Sequence, residues 1–358
     1  MLGTQATKQI SNGLVTVGVD SQGGKLDPVR FDLNGQIVEP LHRAPWLGEK
    51  GHDLMPVLAN LKGDFFCAPF GDSDVLGEVR THGLTANGTW ELKARTQLSL
   101  TYELVGSVLG ARVTKEVFLR ASSPLIYQRH TFVGGSGELP IGHHAMLRAN
   151  EPLNLSFSAW SWGGTPPDPV ETVQTGGRSA LAYPQSFETL AQVTTKDGSS
   201  VDLSTFPVLE GSEEILMLVS KDAPIAWSAA CAPKAGWLWF ALKNPRVLQS
   251  TVLWLSNGGR DYAPFSGRHQ RTMGVEEVTA YFHLGHKASL DAQGQVPYRT
   301  AVRLGAEETL AVPYVFGVVA VPEGFERLTE AVRTDDELTL HGVDTTVTVP
   351  FDSSFFSL

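Results

Sequence analysis

Polar and apolar residues alternate with a period of two through much of the chain. Leu98, Leu100, Tyr102 and Leu104 take one parity, and Ser99, Thr101 and Glu103 take the other. Val113, Val117 and Leu119 alternate with Arg112, Thr114 and Glu116. Leu153, Leu155, Phe157 and Ala159 repeat the pattern, as do Val343, Thr345, Val347 and Val349 near the C-terminus. Successive side chains of a strand point to opposite faces, so this alternation predicts half-buried strands of antiparallel sheets. Leu14 to Val19 reads as a further strand, and Val29 to Leu33, Asn34-Gly35 and Ile37-Val38 read as a hairpin. Gly23-Gly24 marks a turn. One short helix is expected over 323–332, opening after Pro322. No repeat of 20–50 residues is present, which argues against a propeller or solenoid. The expected fold is therefore all-β, a large antiparallel β-sandwich with very little helix. The Gly/Pro-rich stretch 163–168 reads as a loop and not as a boundary, so 1–358 is expected to form a single domain.

Composition narrows the partners. The chain of 358 residues carries a formal net charge of −10 and no basic cluster, which argues against nucleic acid and against anionic membrane surfaces. No apolar run approaches the roughly 18 residues of a membrane-spanning helix. The first residues, MLGTQATKQISNG, lack the apolar core of a secretory signal. Two cysteines, Cys67 and Cys231, make no disulfide framework and suit a reducing compartment. A cytoplasmic protein acting on a neutral or weakly polar small molecule is the expectation. A sandwich of this size can also pair through exposed strands or loops into a homodimer.

The most informative stretch is Leu61 to Trp90, LKGDFFCAPFGDSDVLGEVRTHGLTANGTW. A β-type run from Asp64 to Ala68 stops at Pro69, and Phe65, Phe66 and Phe70 are expected to anchor it. Glycines then permit sharp turns with positive φ. Such a loop can present the His82 imidazole, the Asn87 amide and the Trp90 indole to a cleft. An imidazole handles protons near neutral pH, and an indole face binds the C–H side of a sugar ring. A buried hairpin whose His82 bonds a backbone carbonyl is the competing reading. In the nearby loop, a solvated Arg43 and a packed Trp46 are expected.

Two later runs place polar residues in apolar strands. Ile141-Gly142-His143-His144-Ala145-Met146-Leu147 holds adjacent histidines, and only one of them can face a given cleft. Neighbours on a strand diverge, so the pair is not expected to bind a metal. Met273-Gly274-Val275-Glu276-Glu277-Val278 holds adjacent carboxylates under the same restriction. A carboxylate in a partly buried cleft is costly unless bonded or protonated. The competing readings are a histidine satisfied in the core or at the surface, preferred for His143, and a carboxylate on a solvated strand face, preferred for Glu277.

Lys62-Gly63-Asp64, Pro69-Phe70-Gly71, His82-Gly83 and Trp90 together resemble the galactose mutarotase-like superfamily, nearest its aldose 1-epimerase and hexose-phosphate mutarotase branches. The resemblance spans about residues 10 to 350. It implies that His144, in a Gly-x-His element, is a general acid, and that Glu276, after Gly274-Val275, is a general base. Leu147 stands where the family has an aromatic, and Glu277 where it has proline. It further implies that His82 bonds the ring-oxygen region, that Asp64, Asn87 and Arg260 bond hydroxyls, and that Trp90 or Trp254 stacks on the sugar. An assisting aspartate is expected at Asp202 or Asp64. No metal and no organic cofactor are implied. The implied reaction interconverts the anomers of an aldose. The acid and base are expected on opposite sides of the hemiacetal, facing each other across a sugar-sized gap.

Phosphate-specific members carry arginine four residues after the His-Gly histidine, where this chain has Ala86. Arginine is the natural bidentate phosphate ligand. A neutral aldose is therefore preferred over a sugar phosphate, with Lys62, Arg260 and Arg268 as the cations able to compensate. A non-catalytic sugar-binding protein is the main alternative. A glycoside hydrolase is disfavoured because Glu276 has no second carboxylate in a comparable motif.

Overall fold

The computed structural model describes residues 7–49, 54–77 and 80–356. Two large antiparallel sheets pack face to face. The first has eleven strands. Its centre runs Leu26–Leu33, Asp64–Cys67, Ile141–Arg148, Thr272–Thr279, Ser250–Ser256, Glu213–Ser220 and Trp160–Gly164. The second has nine strands, with Trp237–Lys243, Thr309–Ala320, Leu125–Val133, Arg112–Leu119 and Ser99–Leu104 at its centre. The alternation read from the sequence is realised: Ser99–Leu104 buries Leu100, Tyr102 and Leu104 and turns Ser99, Thr101 and Glu103 outward. The Asn34-Gly35 turn joins Leu26–Leu33 to Gln36–Val38, with Asn34 at φ 58° and Gly35 at φ 97°.

Five of the strands at the centre of the first sheet, Asp64–Cys67, Ile141–Arg148, Thr272–Thr279, Ser250–Ser256 and Glu213–Ser220, do not alternate, because both of their faces are covered. Their inner face meets the second sheet through Phe66, Ala145, Leu216, Leu253 and Val275. Their outer face carries a second apolar cluster with Phe65, Met146, Trp254 and Phe265. The C-terminal strands Glu330–Arg333, Glu337–His341 and Thr346–Pro350 form a small sheet. That segment covers the back of the second sheet through Leu338, Leu340, Val349 and Phe355.

Among the described residues helix is confined to Pro56–Ala59, Gly83–Asn87, Gly285–Asp291 and a 3-10 turn at Ser353–Phe356. The helix expected over 323–332 does not form. Phe325 and Leu328, three residues apart, mimic a helical stripe, but both pack against the back of the second sheet. Gly324 turns the chain at φ 86°, and the strand Glu330–Arg333 follows. The last predicted alternation is also shorter than expected. Val343 is exposed, and only Thr346–Pro350 is strand.

Polar residues on the inner faces are tied across the sandwich. Glu277 is not solvated. It forms a buried ion pair with Lys243 of the opposing sheet and accepts from Ser228 Oγ at 2.5 Å and Thr251 Oγ1 at 2.8 Å. Removing one member of such a pair strands the other charge in the core. Lys243→Met should therefore lower unfolding free energy by about 3–5 kcal/mol in urea titrations at pH 7. The double variant Lys243→Met/Glu277→Met should recover most of that loss. A single variant as stable as wild type would show that the pair does not contribute.

Candidate functional site

The outer face of the first sheet carries a cavity of about 330 Å³. His144 and Glu276 line it from adjacent strands, and Trp254 and Ile215 from the next two. Gly142 opposite Val278 and Ala145 opposite Val275 bracket the two catalytic candidates and fix their register. The pair is in direct contact, His144 Nε2 to Glu276 Oε1 at 3.2 Å. The expected sugar-sized gap between them is absent. Both stand on one wall of the cavity.

Local sequence explains both side chains. Phe65 lies opposite His144 in the neighbouring strand, and its ring stacks on the imidazole at 4.5 Å and 20°. Gly274 precedes Glu276 by two residues on the same face. A Cβ there would lie 2.3 Å from Glu276 Oε1, so the missing side chain makes room for the carboxylate. Burial raises the Glu276 carboxyl well above the ordinary carboxylate range. Burial, and then the neighbouring His82, lower His144. Desolvation disfavours charge on both partners, so the pair is driven to hold one proton between them.

His82 lines the same cavity, its ring 5.0 Å from that of His144. It adopts φ 67° at the start of the helix Gly83–Asn87. Gly83 follows at φ 65°, and a Cβ there would lie 2.2 Å from the Ala68 carbonyl. Only glycine lets the chain press this close, and the close approach holds His82 over the cavity. Its Nδ1 accepts the Gly71 N–H at 3.3 Å, which leaves Nε2 as the proton-bearing nitrogen. The competing reading, His82 bonding a carbonyl, is not what the structure has.

Trp254 and Arg260 also line the cavity. Glu213 Oε1 accepts from Trp254 Nε1 at 2.5 Å and lies 3.6 Å from Arg260 Nη1. Arg260 Nε donates to Glu171 Oε1 at 2.7 Å. Burial pushes Glu213 up to about 6, against the opposing pull of Arg260. His269 stacks behind Trp254 at 5.2 Å, and its Nδ1 is 2.6 Å from Ser256 Oγ.

Three expected sugar contacts lie elsewhere. Asp64 points to the inner face, where its Oδ2 accepts from Gln128 Nε2 at 2.6 Å and lies 3.4 Å from His143 Nδ1. Strand alternation puts it opposite Phe65, away from the cavity. Trp90 is buried in the core between the sheets and donates to the Thr85 carbonyl at 2.9 Å. Asn87 is consumed by capping. It accepts the Val57 N–H at 2.9 Å and donates to the Thr81 and Gly83 carbonyls at 2.9 and 2.8 Å. Its Asn-Gly pair ends the short helix Gly83–Asn87. Asp202 bonds the Ser204 N–H in an exposed turn and does not line the cavity. Trp46 is packed, and Arg43 is paired with Asp27. Glu78 and Val79, within the Leu61 to Trp90 stretch, lie outside the described residues.

Sequence reading missed His283, Tyr262, Asp72 and Thr81, which line the cavity, and Glu213 and Glu171 behind it. Glu213-Glu214 opens an apolar strand just as Glu276-Glu277 sits in one, so the same rule could have singled it out. His283 follows the end of a strand and carries no comparable signal. Among the described residues no group of three or more His, Cys, Asp or Glu side chains could hold a metal ion. No helix among them is long and apolar enough to cross a membrane.

The sequence matches no protein-family model and no curated protein. Solved structures do match in fold. A candidate aldose 1-epimerase from Escherichia coli superposes with a TM-score of 0.58 at 14% identity, covering 88% of this chain and 99% of its own. A galactose mutarotase related enzyme from Lactobacillus acidophilus gives 0.55 at 9% identity, covering 89% and 99%. A Synechocystis protein gives 0.57 at 15% identity, covering 88% and 96%. The chain has the galactose mutarotase-like fold.

Among the described residues seven histidines are lowered by burial: His42, His82, His130, His143, His144, His269 and His283. Below the ordinary histidine value of 6.5 the unfolded chain takes up protons that the folded chain refuses. Stability from these groups is complete above pH 6.5 and is lost as the pH falls. Glu213, Glu214 and Glu276 are raised and act in the opposite sense, but they are fewer. The urea midpoint should therefore fall between pH 7 and pH 5.5, each uncompensated proton costing about 1.4 kcal/mol per pH unit. A midpoint that is flat or rises on acidification would contradict this balance.

Proposed function

We propose that this cavity interconverts the α and β anomers of a neutral aldose by general acid–base ring opening, the chemistry of an aldose 1-epimerase. The carrying observation is the His144–Glu276 contact at 3.2 Å on the cavity wall, with His82 beside it. In the reactive state the shared proton lies on His144. Glu276 takes the proton of the anomeric hydroxyl while His144 protonates the ring oxygen, and the C1–O5 bond breaks. Glu276 is then protonated and His144 neutral, so the pair still holds one proton. Rotation about C1–C2 exposes the other carbonyl face, and the reverse transfers close the ring. The hydroxyl and ring oxygens share one carbon, so neighbouring groups on one wall reach both. His82 Nε2–H donates to the ring-oxygen region, Arg260 bonds hydroxyls, and Trp254 offers its face to the ring.

The charges around the cavity favour a neutral substrate. Arg260 is committed to Glu171 and faces Glu213. Lys62 is held by Asp20 at 2.9 Å and Asp27 at 3.3 Å, and Arg268 by Glu49 at 2.5 Å. Each of the three cations able to replace the absent phosphate-binding arginine is already paired with carboxylate.

Mutarotation of α-D-glucose and α-D-galactose, followed by polarimetry, should be accelerated by the protein. Glu276→Gln should lose at least about 100-fold of that rate with its unfolding transition intact. Wild-type turnover by this variant would refute the assignment. No acceleration of any aldose, free or phosphorylated, would leave a sugar-binding protein as the better reading.

Gly274→Ala tests the geometry separately. Its methyl would displace a flexible carboxylate and not backbone, so the fold should persist. The rate should drop by about 10- to 100-fold, as a displaced catalytic group does. An unchanged rate would show that the Glu276 position is not critical.

A further inference from the structure

A second depression, of about 490 Å³, is lined by aromatic residues. One of them is Trp162, in the strand next to Glu213–Ser220. A Cβ on Gly164 would lie 2.6 Å from the Trp162 ring, so this strand leaves out a side chain to lay an indole across the sheet. Tyr298 leans beside the indole at 5.4 Å and 34°, and Phe282 meets it edge-on at 6.0 Å. Tyr281 lines the same groove.

Three features define what fits. Trp162 Nε1 and the hydroxyls of Tyr281 and Tyr298 make no hydrogen bond to any described residue, whereas the Gln185 amide at the rim is fully used by Ala182 and Thr194. The groove therefore offers aromatic surface together with uncommitted hydrogen-bonding groups. No charged side chain among the described residues lines it. It also adjoins the first cavity along the chain: Tyr281 and Phe282 line the groove, and His283, the next residue, lines the cavity.

We propose that this groove is a second carbohydrate subsite, which binds a neutral pyranose ring of a saccharide of two or more units. A pyranose has an apolar C–H face for the indole and hydroxyls for the two phenols and the indole N–H. The absence of lining charge selects a neutral unit over a uronate, a sugar phosphate or an amino sugar. That the ligand is a sugar rests on the same reading as the proposed function, but the groove's occupancy does not depend on turnover.

Methyl glycosides separate the two, because their anomeric carbon is blocked and cannot mutarotate. Methyl β-lactoside, methyl α-maltoside and methyl β-cellobioside, with methyl glucoside and methyl galactoside as single-ring controls, can be titrated by saturation-transfer NMR. At least one disaccharide glycoside should bind more tightly than its single-ring control. Trp162→Ala should weaken that binding roughly tenfold or more. Tyr298→Phe, which keeps the ring and the packing, should weaken it by a smaller factor. Disaccharide binding that is absent throughout the panel, or equal in wild type and both groove variants, overturns the subsite. Failed mutarotation with binding still sensitive to Trp162 sinks only the catalytic reading.

Discussion

The constraint on which the site depends is that neighbouring side chains of a strand cannot share a face. Three adjacent pairs are split in this way on three hydrogen-bonded strands. Phe65, His144 and Glu276 go to the outer face, and Asp64, His143 and Glu277 go to the inner one. The outward members meet one another, giving the Phe65 stack on His144 and the His144–Glu276 contact. The inward members must find partners in the opposing sheet, because a buried charge without one is costly. Glu277 finds Lys243, and Asp64 finds Gln128. The polar groups behind the cavity thus tie these three strands to the second sheet and limit how far the strands can slide.

Burial then sets the protonation of the exposed side of this arrangement. Histidines that would titrate near neutral pH in water are held neutral, His82 down to about 3 and His283 to about 4. Lys25 belongs to the same environment. Its ammonium sits 4.8 Å over the Phe65 ring and bonds the Val57 carbonyl at 2.9 Å, tying the helix Pro56–Ala59 to the sheet. Burial, then Lys62, lower it to about 7. With His82 and His283 held neutral, the proposed acid–base chemistry falls to the His144–Glu276 pair beside them.

Much of this was legible in the sequence, and the limits have physical reasons. Period-two alternation identified the sheets wherever one face meets solvent, as in Ser99–Leu104. Alternation also said that only one of each adjacent polar pair could face a cleft, and His144, Glu276, His82, Trp254 and Arg260 do share one cavity. It could not say where the second member goes, so Glu277 was expected in solvent although it lies in a buried ion pair. Asn87 and Trp90 were expected in the cavity from the loop that carries them, and Asp64 from the family resemblance. Flanking residues anchor a loop as often as they present it, and these three spend their hydrogen bonds on the protein. His283, Tyr262 and Asp72 come from separate loops that the strand order brings together, and no local pattern records that meeting.

The division between strands and loops also separates two properties of the site. The His144–Glu276 pair stands on central strands whose register is fixed on both sides by hydrogen-bonded neighbours, so its geometry is as rigid as the sandwich. The groups that would read a sugar's hydroxyls and size are carried differently. Arg260, Tyr262 and Phe265 belong to one loop, His283 to another, and Asp72 and Thr81 to a third. Loops accept substitution and insertion with less cost to the core than strands do. Ring opening requires the same two proton transfers for every aldose, whereas each aldose presents different hydroxyls. On the proposed reading, a chain that keeps the first requirement on strands and the second on loops can change its sugar without rebuilding its chemistry.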